Sequence, residues 1–159
     1  MTTNNEKPVW RSLLYVPVNV DRYVDKAHER GADGIILDLE DSVTPAEKAT
    51  ARTLIGAAAE KVSRNGADVL LRINRPLELA VRDIEAAVMP GVMALKLPKI
   101  QSAEHVQLIA ELVTECEMRQ GMEVGSTWLL PMVETADAFF QIDKIAKAHP
   151  RNYTVLLGG

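Results

Sequence analysis

Short apolar runs alternate with amphipathic stretches along the chain, and this alternation predicts strands joined by helices. The predicted strands lie near residues 12–17, 33–38, 68–73, 92–97, 127–133 and 153–157. The predicted helices lie near residues 20–30, 45–64, 78–88, 102–119 and 136–148. Strands that alternate with helices are usually parallel, because each helix carries the chain back across the sheet. The pattern therefore predicts an α/β fold.

Charged residues follow several of the apolar runs. Asp38, Arg72, Lys96 and Glu134 each stand directly after, or near the end of, such a run. A buried strand cannot easily carry unpaired charge along its length, so charge at one end of several strands predicts that these ends converge on a shared polar pocket. This arrangement is typical of the catalytic rim of a (β/α) barrel.

The number of β/α units bears on the closure of the sheet. Six strands and five helices do not close an eight-stranded barrel. We therefore predict a TIM (β/α)8 barrel that is truncated after strand 6, as a single partial domain over residues 1–159. The alternative is a doubly wound open sheet, which needs a glycine-rich phosphate loop after an early strand. Residues 17–21, the first predicted turn, contain no glycine.

Polar residues mark the predicted helix ends. Thr44 precedes a proline and stands three residues before Glu47, which predicts a capping box at the start of the second helix. Ser102 and Thr135 are predicted to cap the fourth and fifth helices. Gly31 is predicted to close the first helix in a left-handed conformation.

Composition narrows the class of protein. A chain of 159 residues that is 47% hydrophobic and 25% charged suits one soluble globular domain. The formal net charge of −4 argues against nucleic acid as a partner. No stretch approaches the roughly 18 apolar residues of a membrane span, and the first residues lack the pattern of a signal peptide. We therefore expect no membrane partner and a cytoplasmic location, and we expect the single cysteine, Cys116, to be a structural thiol.

An acidic cluster follows the second predicted strand. Alternation along the strand places Asp38 and Glu40 on one face, and Asp41 begins the loop. Three carboxylates within four residues repel one another unless a cation compensates, so one interpretation is a site for a hard metal ion. The other is a solvated acidic loop that is stabilised by the N-terminus of the following helix.

Two further strand ends carry residues suited to bind an acid. Arg72 and Asn74 share a face and are predicted to point inward, where a guanidinium could hold a carboxylate and stabilise an enolate. The alternative is an ion pair of Arg72 with Asp38 or Glu40, and both interpretations could hold. Glu134 could be a metal ligand or a charge at a helix N-terminus.

The lysines and histidines are weaker candidates for catalysis than the acidic residues and Arg72. A Schiff base on Lys96 would need a desolvated pocket to lower its pKa, and we expect the nearby carboxylates to keep this lysine charged. The three histidines, at positions 28, 105 and 149, fall in predicted helices away from the rim and lack metal-ligand spacing.

A set of short motifs occurs in a fixed order through almost the whole chain. They are Leu14–Pro17, Lys26–Ala27, Gly31–Asp33, Asp38–Val43, Lys48, Ala51–Arg52, Arg72–Asn74, Leu97–Lys99 and Val133–Thr135. Together these motifs resemble the HpcH/HpaI aldolase and citrate lyase superfamily. More narrowly, the chain is similar to the citrate lyase β-subunit-like branch, which includes malyl-CoA, citryl-CoA and citramalyl-CoA lyases. Pyruvate-type aldolases of the superfamily carry histidine where this chain has Asp41, so the CoA-ester branch fits better.

The resemblance implies a TIM barrel that binds Mg²⁺ and a CoA thioester. Glu134 matches one metal ligand, and the second would be an aspartate about two residues past Gly159, which is absent from this sequence. Tyr15 and Lys26 match positions that contact CoA. Members of this family usually form homo-oligomers, and we expect one here.

The resemblance also implies the catalytic residues. Arg72 would hold the substrate carboxylate, and Glu40 and Asp41 would orient metal-bound water, with Asp38 in the same catalytic group. The implied activity is Mg²⁺-dependent cleavage or formation of a carbon–carbon bond in a 3-hydroxy-dicarboxylic acyl-CoA thioester, through a stabilised enolate. Two alternatives remain open: thioester hydrolysis at the same site, and an incomplete barrel that acts only in binding or assembly.

Overall fold

The computed structural model describes residues 7–158, which form six parallel strands and the helices between them. The strands are β1 (Leu13–Pro17), β2 (Gly34–Asp38), β3 (Asp68–Arg72), β4 (Ala94–Leu97), β5 (Trp128–Val133) and β6 (Leu156–Leu157). The helices are α1 (Asp21–Ala27), α2 (Lys48–Thr53), α3 (Ile55–Val62), α4 (Leu77–Ala87), α5 (Ala103–Arg119), α6 (Ala136–Phe139) and α7 (Ile142–Ala146), with a 3₁₀ turn at His28–Arg30.

The order of the strands decides between the two predicted folds. Each strand pairs in parallel with the next one along the chain, from β1 to β6. A doubly wound sheet reverses its strand order at a switch point, whereas a (β/α) barrel keeps the order of the sequence. The six strands form a curled half-barrel, which confirms the prediction of a truncated TIM barrel.

The two faces of the sheet have different neighbours. The outward-facing strand residues join the helices in one large apolar core. The concave face carries a smaller apolar layer, closed at its base by the rings of Trp10, Trp128 and Tyr153. Side chains alternate along a strand, so residues two positions after this layer also lie on the concave face. The apolar layer consists of Ile36, Leu70, Ala94 and Leu130.

The helix ends agree in part with the predictions. Ser102 and Thr135 cap α5 and α6, since their hydroxyls accept backbone N–H groups three residues later at 3.3 and 3.2 Å. Gly31 closes the 3₁₀ turn with φ of 71°, as predicted. The predicted capping box is wrong. The Thr44 hydroxyl instead donates to the Glu47 carboxylate at 2.6 Å, because these residues form a turn before α2.

Two predicted helices are interrupted. The helix expected near 45–64 is divided at Leu54 into α2 and α3, and the one expected near 136–148 is divided into α6 and α7. Cys116 is buried in α5, as expected. No helix among residues 7–158 is long and apolar enough to cross a membrane.

Candidate active site at the carboxyl ends of the strands

A cleft of about 540 Å³ opens where the carboxyl ends of the strands meet. It is bordered by residues from or just after β1, β2, β3, β5 and β6. The predicted convergence holds for Asp38, Arg72 and Glu134, whereas Lys96 of β4 is not among the lining residues. The lining residues are Tyr15, Pro17, Asp38, Asp41, Ser42, Arg72, Met132, Glu134 and Gly158.

A bidentate ion pair joins β2 and β3 at the floor of this cleft. Nε and Nη2 of Arg72 donate to the two carboxylate oxygens of Asp38, each at 2.7 Å. Burial alone would raise the pKa of Asp38, but the donors from Arg72 and Ser42 outweigh it and lower the pKa. The predicted ion pair is therefore present, and Asp38 is a stable anion that positions Arg72.

The remaining carboxylates of the acidic cluster are also compensated by the protein. Arg72 Nη1 lies 3.1 Å from Glu40 Oε2 and 3.2 Å from Asp41 Oδ2. The other oxygen of Glu40 accepts a hydrogen bond from Lys99 Nζ at 2.6 Å. The side chain of Asp41 is 69% exposed, whereas that of Glu40 is buried. The repulsion that suggested a metal ion here is thus relieved by Arg72 and Lys99.

Glu134 lies across the cleft and is held by backbone atoms. Its Oε2 accepts the N–H of Lys99 at 2.7 Å. A Cβ atom at Gly158 would lie 2.5 Å from Glu134 Cγ and 2.8 Å from Oε1, so a larger residue there would displace this carboxylate from its present position. Among residues 7–158, Oε1 of Glu134 accepts no hydrogen bond, and it is the free carboxylate oxygen at this side of the cleft.

The carboxylates at this cleft can be compared with the ligands that Mg²⁺ requires. No group of three His, Cys, Asp or Glu side chains within residues 7–158 is placed to hold a metal ion. Both oxygens of Asp38 and Glu40 are engaged by cationic side chains, so these two residues do not fit a metal. Mg²⁺ commonly binds one or two carboxylates and completes its shell with water and substrate oxygens. Glu134 fits one such ligand position.

Tyr15 and Lys96 lie together on the concave face. The ring centroid of Tyr15 is 4.8 Å from Arg72 Cζ and 4.4 Å from Lys96 Nζ. Burial and the charge of Arg72 lower the pKa of Lys96, despite the opposing effect of Glu134 and the acidic cluster. The pKa is therefore shifted in the direction opposite to the one expected from the nearby carboxylates, because burial on the concave face disfavours the charged ammonium.

Lys26 lies outside the main cleft. It borders a second cavity of about 280 Å³ between β1 and α1, together with Arg22 and Arg30. Tyr15 borders both cavities. The two residues predicted to contact CoA thus lie along adjoining cavities, and their role stays a prediction.

The prediction that Asn74 points into the pocket beside Arg72 is wrong. Its Nδ2 donates to Asp83 of α4 at 2.7 Å and to the carbonyl of Leu39 at 2.9 Å. Asp83 is fully buried and also pairs with Arg52 of α2 at 2.5 Å. Strand β3 ends at Arg72, so the alternation of faces no longer applies two residues later. Asn74 instead supports the loop that carries the acidic cluster.

Comparison with known proteins places the chain in a family. Residues 11–159 match the HpcH/HpaI aldolase/citrate lyase family. The chain belongs to this family. Citrate lyase subunit beta of Leuconostoc mesenteroides subsp. cremoris is 34% identical over 155 residues, which cover 97% of this chain and 51% of that protein. A (3S)-malyl-CoA thioesterase of Cereibacter sphaeroides (strain ATCC 17029 / ATH 2.4.9) is 33% identical over 150 residues, covering 94% of this chain and 48% of that protein.

A solved structure has the same architecture. Protein CitE of Mycobacterium tuberculosis, in complex with magnesium and acetoacetate, superposes with a TM-score of 0.69 at 27% identity. The match covers 92% of this chain and 53% of that structure. The chain spans about half the length of the curated relatives it matches.

Three further residues of this HpcH/HpaI family member contact the site, although the sequence pattern alone does not predict a role for them. Lys99 contacts both Glu40 and Glu134. Ser42 donates its amide and hydroxyl to Asp38, and Lys48 Nζ donates to the carbonyls of residues 39 and 40 at 2.8 Å each. For Ser42 and Lys99, a signal in the sequence is their position just after polar strand ends, whereas Lys48 begins α2 and has no such signal.

Proposed function

We propose that the protein is an Mg²⁺-dependent lyase that cleaves or forms a carbon–carbon bond in a 3-hydroxy-dicarboxylic acyl-CoA thioester. The observation that carries this proposal is the placement of Arg72 and Glu134 in the lining of one 540 Å³ cleft. A guanidinium and a carboxylate available for Mg²⁺ suit a reaction in which negative charge develops between them. The similarity to citrate lyase subunit beta and to a structure holding magnesium and acetoacetate supports the same chemistry.

The reaction needs an acceptor for the substrate hydroxyl proton and stabilisation for an enolate. Loss of that proton breaks the bond to the carbon beside the thioester carbonyl, and this leaves an α-keto acid and a thioester enolate that then takes up a proton. Mg²⁺ bound at Glu134 would supply Lewis-acid stabilisation of the developing charge. Asp38 holds the Nε and Nη2 edge of Arg72, so a substrate carboxylate would meet Nη1, which now faces Glu40 and Asp41.

Asp41 suits the role of proton acceptor best among the three clustered acids. Asp38 and Glu40 each have both oxygens engaged. Asp41 is mostly exposed and contacts only Arg72 Nη1 among the described side chains. Its movement would free one N–H of Arg72 Nη1 for a substrate carboxylate, while Glu40 keeps its contact with Nη1. The same movement would place a carboxylate oxygen of Asp41 beside the substrate.

Thioester hydrolysis is the second candidate, since a relative of similar identity is a (3S)-malyl-CoA thioesterase. The two activities release different products. A lyase converts citryl-CoA into a keto acid and acetyl-CoA, whereas a hydrolase releases free CoA. Chromatography of the products therefore separates them.

The expected partner is a small carboxylic acid or its CoA thioester. The small acidic cleft and the net charge of −4 give no support for nucleic acid as a ligand. Assembly as a homo-oligomer and a cytoplasmic location stay predictions.

The test measures turnover of citryl-CoA and binding of Mg²⁺ and oxaloacetate by the intact protein. We expect Arg72→Lys to lower kcat/KM by about 100-fold, because a lysine cannot reproduce the bidentate pair with Asp38. We expect Glu134→Gln to weaken Mg²⁺ binding measured by calorimetry. Arg82→Lys and Glu78→Gln, in an exposed ion pair on α4, are the matched controls.

Two results would contradict the lyase proposal. One is unchanged turnover in both site variants. The other is a folded parent protein that neither binds Mg²⁺ with oxaloacetate nor cleaves the thioester, which would favour a barrel that acts only in binding or assembly.

A further inference from the structure

Lys96 is a mostly buried residue on the concave face of the sheet, and its ammonium keeps some contact with solvent. It lies in register with Arg72 on β3, and the residue is only 7% exposed. Within residues 7–158 its Nζ makes no hydrogen bond or ion pair, although it lies 4.4 Å from the ring centroid of Tyr15. An ammonium has three N–H donors to satisfy, and water can reach this one from the open side of the sheet. A ligand that displaces this water must therefore supply an acceptor.

Three carboxylates act on the charge of Lys96, those of Asp38, Glu40 and Glu134. The free Oε1 of Glu134 is assigned to Mg²⁺ in the proposed function, and the other two carboxylates are engaged by other donors. Oδ1 of Asp38 accepts Arg72 Nε and the amide of Glu40, and Oδ2 accepts Arg72 Nη2 and two donors of Ser42. The two oxygens of Glu40 are taken by Arg72 and Lys99. The acidic cluster thus leaves Lys96 available to an acceptor that enters from the cleft, which Tyr15 borders.

We infer that Lys96 binds a second carboxylate of the substrate and makes the site selective for acyl-CoA esters that carry one. This inference rests on the proposed lyase function and names the substrate class more closely. Arg72 would meet the carboxylate on the hydroxyl-bearing carbon, and Lys96 would meet a carboxymethyl group on the same carbon. Citryl-CoA has this group, whereas citramalyl-CoA has a methyl group in its place.

The physical reason for selectivity is the cost of an unpaired charge. A substrate with a methyl group would close the cleft over an ammonium that has no acceptor. A site built around a buried polar group discriminates strongly against analogues that lack the matching group. An apolar side chain at position 96 would remove this penalty and the attraction together.

The experiment compares two substrates and two keto acids on the intact protein in the presence of Mg²⁺. The ratio of kcat/KM for citryl-CoA over citramalyl-CoA is measured for the parent, Lys96→Met and Lys96→Arg. Calorimetry with oxaloacetate and pyruvate, which differ by the same carboxylate, gives a binding readout that does not depend on turnover. Lys61→Met, at an exposed ion pair with Asp25, is the control.

We expect Lys96→Met to reduce the citryl-CoA preference and the affinity for oxaloacetate by about 10- to 100-fold, which is the usual range for a charged hydrogen bond. Pyruvate affinity should stay unchanged. Lys96→Arg should retain most of the preference, because it keeps the charge. Thermal unfolding of each variant verifies that methionine is accommodated, as expected for an apolar side chain at a buried position.

Several outcomes would overturn the inference. One such outcome is the same ratio of kcat/KM for the two substrates in the parent and in Lys96→Met, which includes an equal loss of kcat/KM for both substrates. This result would show that Lys96 does not recognise the second carboxylate. It would leave the lyase function intact. A parent protein that cleaves neither thioester and binds neither keto acid would overturn the proposed function itself, and the inference with it.

Discussion

At the scale of single residues, backbone geometry sets the position of Glu134. Lys99 donates its N–H to Glu134 and adopts φ of 49°, a left-handed conformation that is uncommon for a residue with a Cβ. Such conformations cost roughly 1–3 kcal/mol and persist where the surroundings hold them. The side chain of Lys99 is held by Glu40 at 2.6 Å. One strained residue therefore links the acidic cluster to the predicted metal ligand.

Gly158→Ala tests how closely the backbone must approach Glu134. The added methyl group would lie 2.5 Å from Glu134 Cγ, so the carboxylate has to move. We expect Mg²⁺ affinity, measured by calorimetry, to fall by about 10-fold or more, as for other changes that displace a metal ligand. Gly56→Ala is the matched control, because a Cβ there meets only Met89 at 3.5 Å. Unchanged Mg²⁺ affinity in Gly158→Ala would contradict the assigned role of Glu134.

At the scale of elements, helix starts show how far a local motif determines structure. Ser102 caps α5 as its sequence predicts, since its side chain meets the N–H of residue 105. Thr44 and Glu47 also match a capping motif, yet α2 begins only at Lys48. The hydroxyl and the carboxylate of that motif bond to each other instead. The local spacing allows a cap at Ser102 and at Thr44. The path of the loop after β2 prevents the cap at Thr44, so of these two residues only Ser102 caps its helix.

Ser102→Ala and Thr44→Ala form a pair that measures this difference. We expect Ser102→Ala to lower the free energy of unfolding by about 1 kcal/mol, because a helix N–H loses its acceptor. Thr44 lies in an exposed turn, so its replacement should change the free energy by less than about 0.5 kcal/mol. Urea denaturation followed by circular dichroism gives both values. Equal losses would mean that Thr44 acts as a cap in solution.

At the scale of the whole molecule, a buried ion pair connects α5 with the segment that leads to β6. Nη1 and Nη2 of Arg151 donate to the two carboxylate oxygens of Glu117 at 2.9 and 2.5 Å. The backbone amides of Gly125 and Thr127, before β5, donate to the same carboxylate. Burial alone would raise the pKa of Glu117, but these donors outweigh it and lower the pKa. The last strand is thus attached to the earlier elements through one carboxylate.

Arg151→Met should lower the free energy of unfolding by about 3–5 kcal/mol at pH 7, because it leaves the Glu117 charge buried without its partner. Since the folded-state pKa of Glu117 lies below its ordinary value of 4.5, the pair stabilises fully above that pH. This contribution is lost as the pH falls through the lower, folded-state pKa. Guanidinium denaturation of parent and variant at pH 7 and about pH 3 measures both effects.

The control for this prediction is Lys147→Met, which removes an exposed ion pair with Asp143. It should change the free energy of unfolding by less than about 1 kcal/mol at either pH. A difference between parent and Arg151→Met that grows toward acid pH would contradict the assignment, because protonation of Glu117 should weaken the pair.

The succession of strands and helices, and the face of residues within the strands, could be predicted from the sequence. These features depend on short-range periodicity, since apolar runs form strands and alternate residues share a face. The polar strand ends at Asp38, Arg72 and Glu134 also follow from this pattern. The pairing of each strand with the next one is long-range and distinguished the barrel from a doubly wound sheet. The motif at residues 38–43 indicated the family, and the barrel fold expected for that family agrees with the observed fold.

The partners of those polar residues depend on contacts between distant parts of the chain. Arg72 meets Asp38 across 34 positions, and Lys99 meets Glu40 across 59. Asn74 shares a local pattern with Arg72, but the end of β3 turns it toward Asp83 instead. The periodicity of the sequence shows on which face of a strand a residue lies. It does not show how far that residue is from side chains on other strands and loops. Only the folded sheet therefore decided which carboxylates are neutralised, and it left Lys96 without a partner in the described part of the chain.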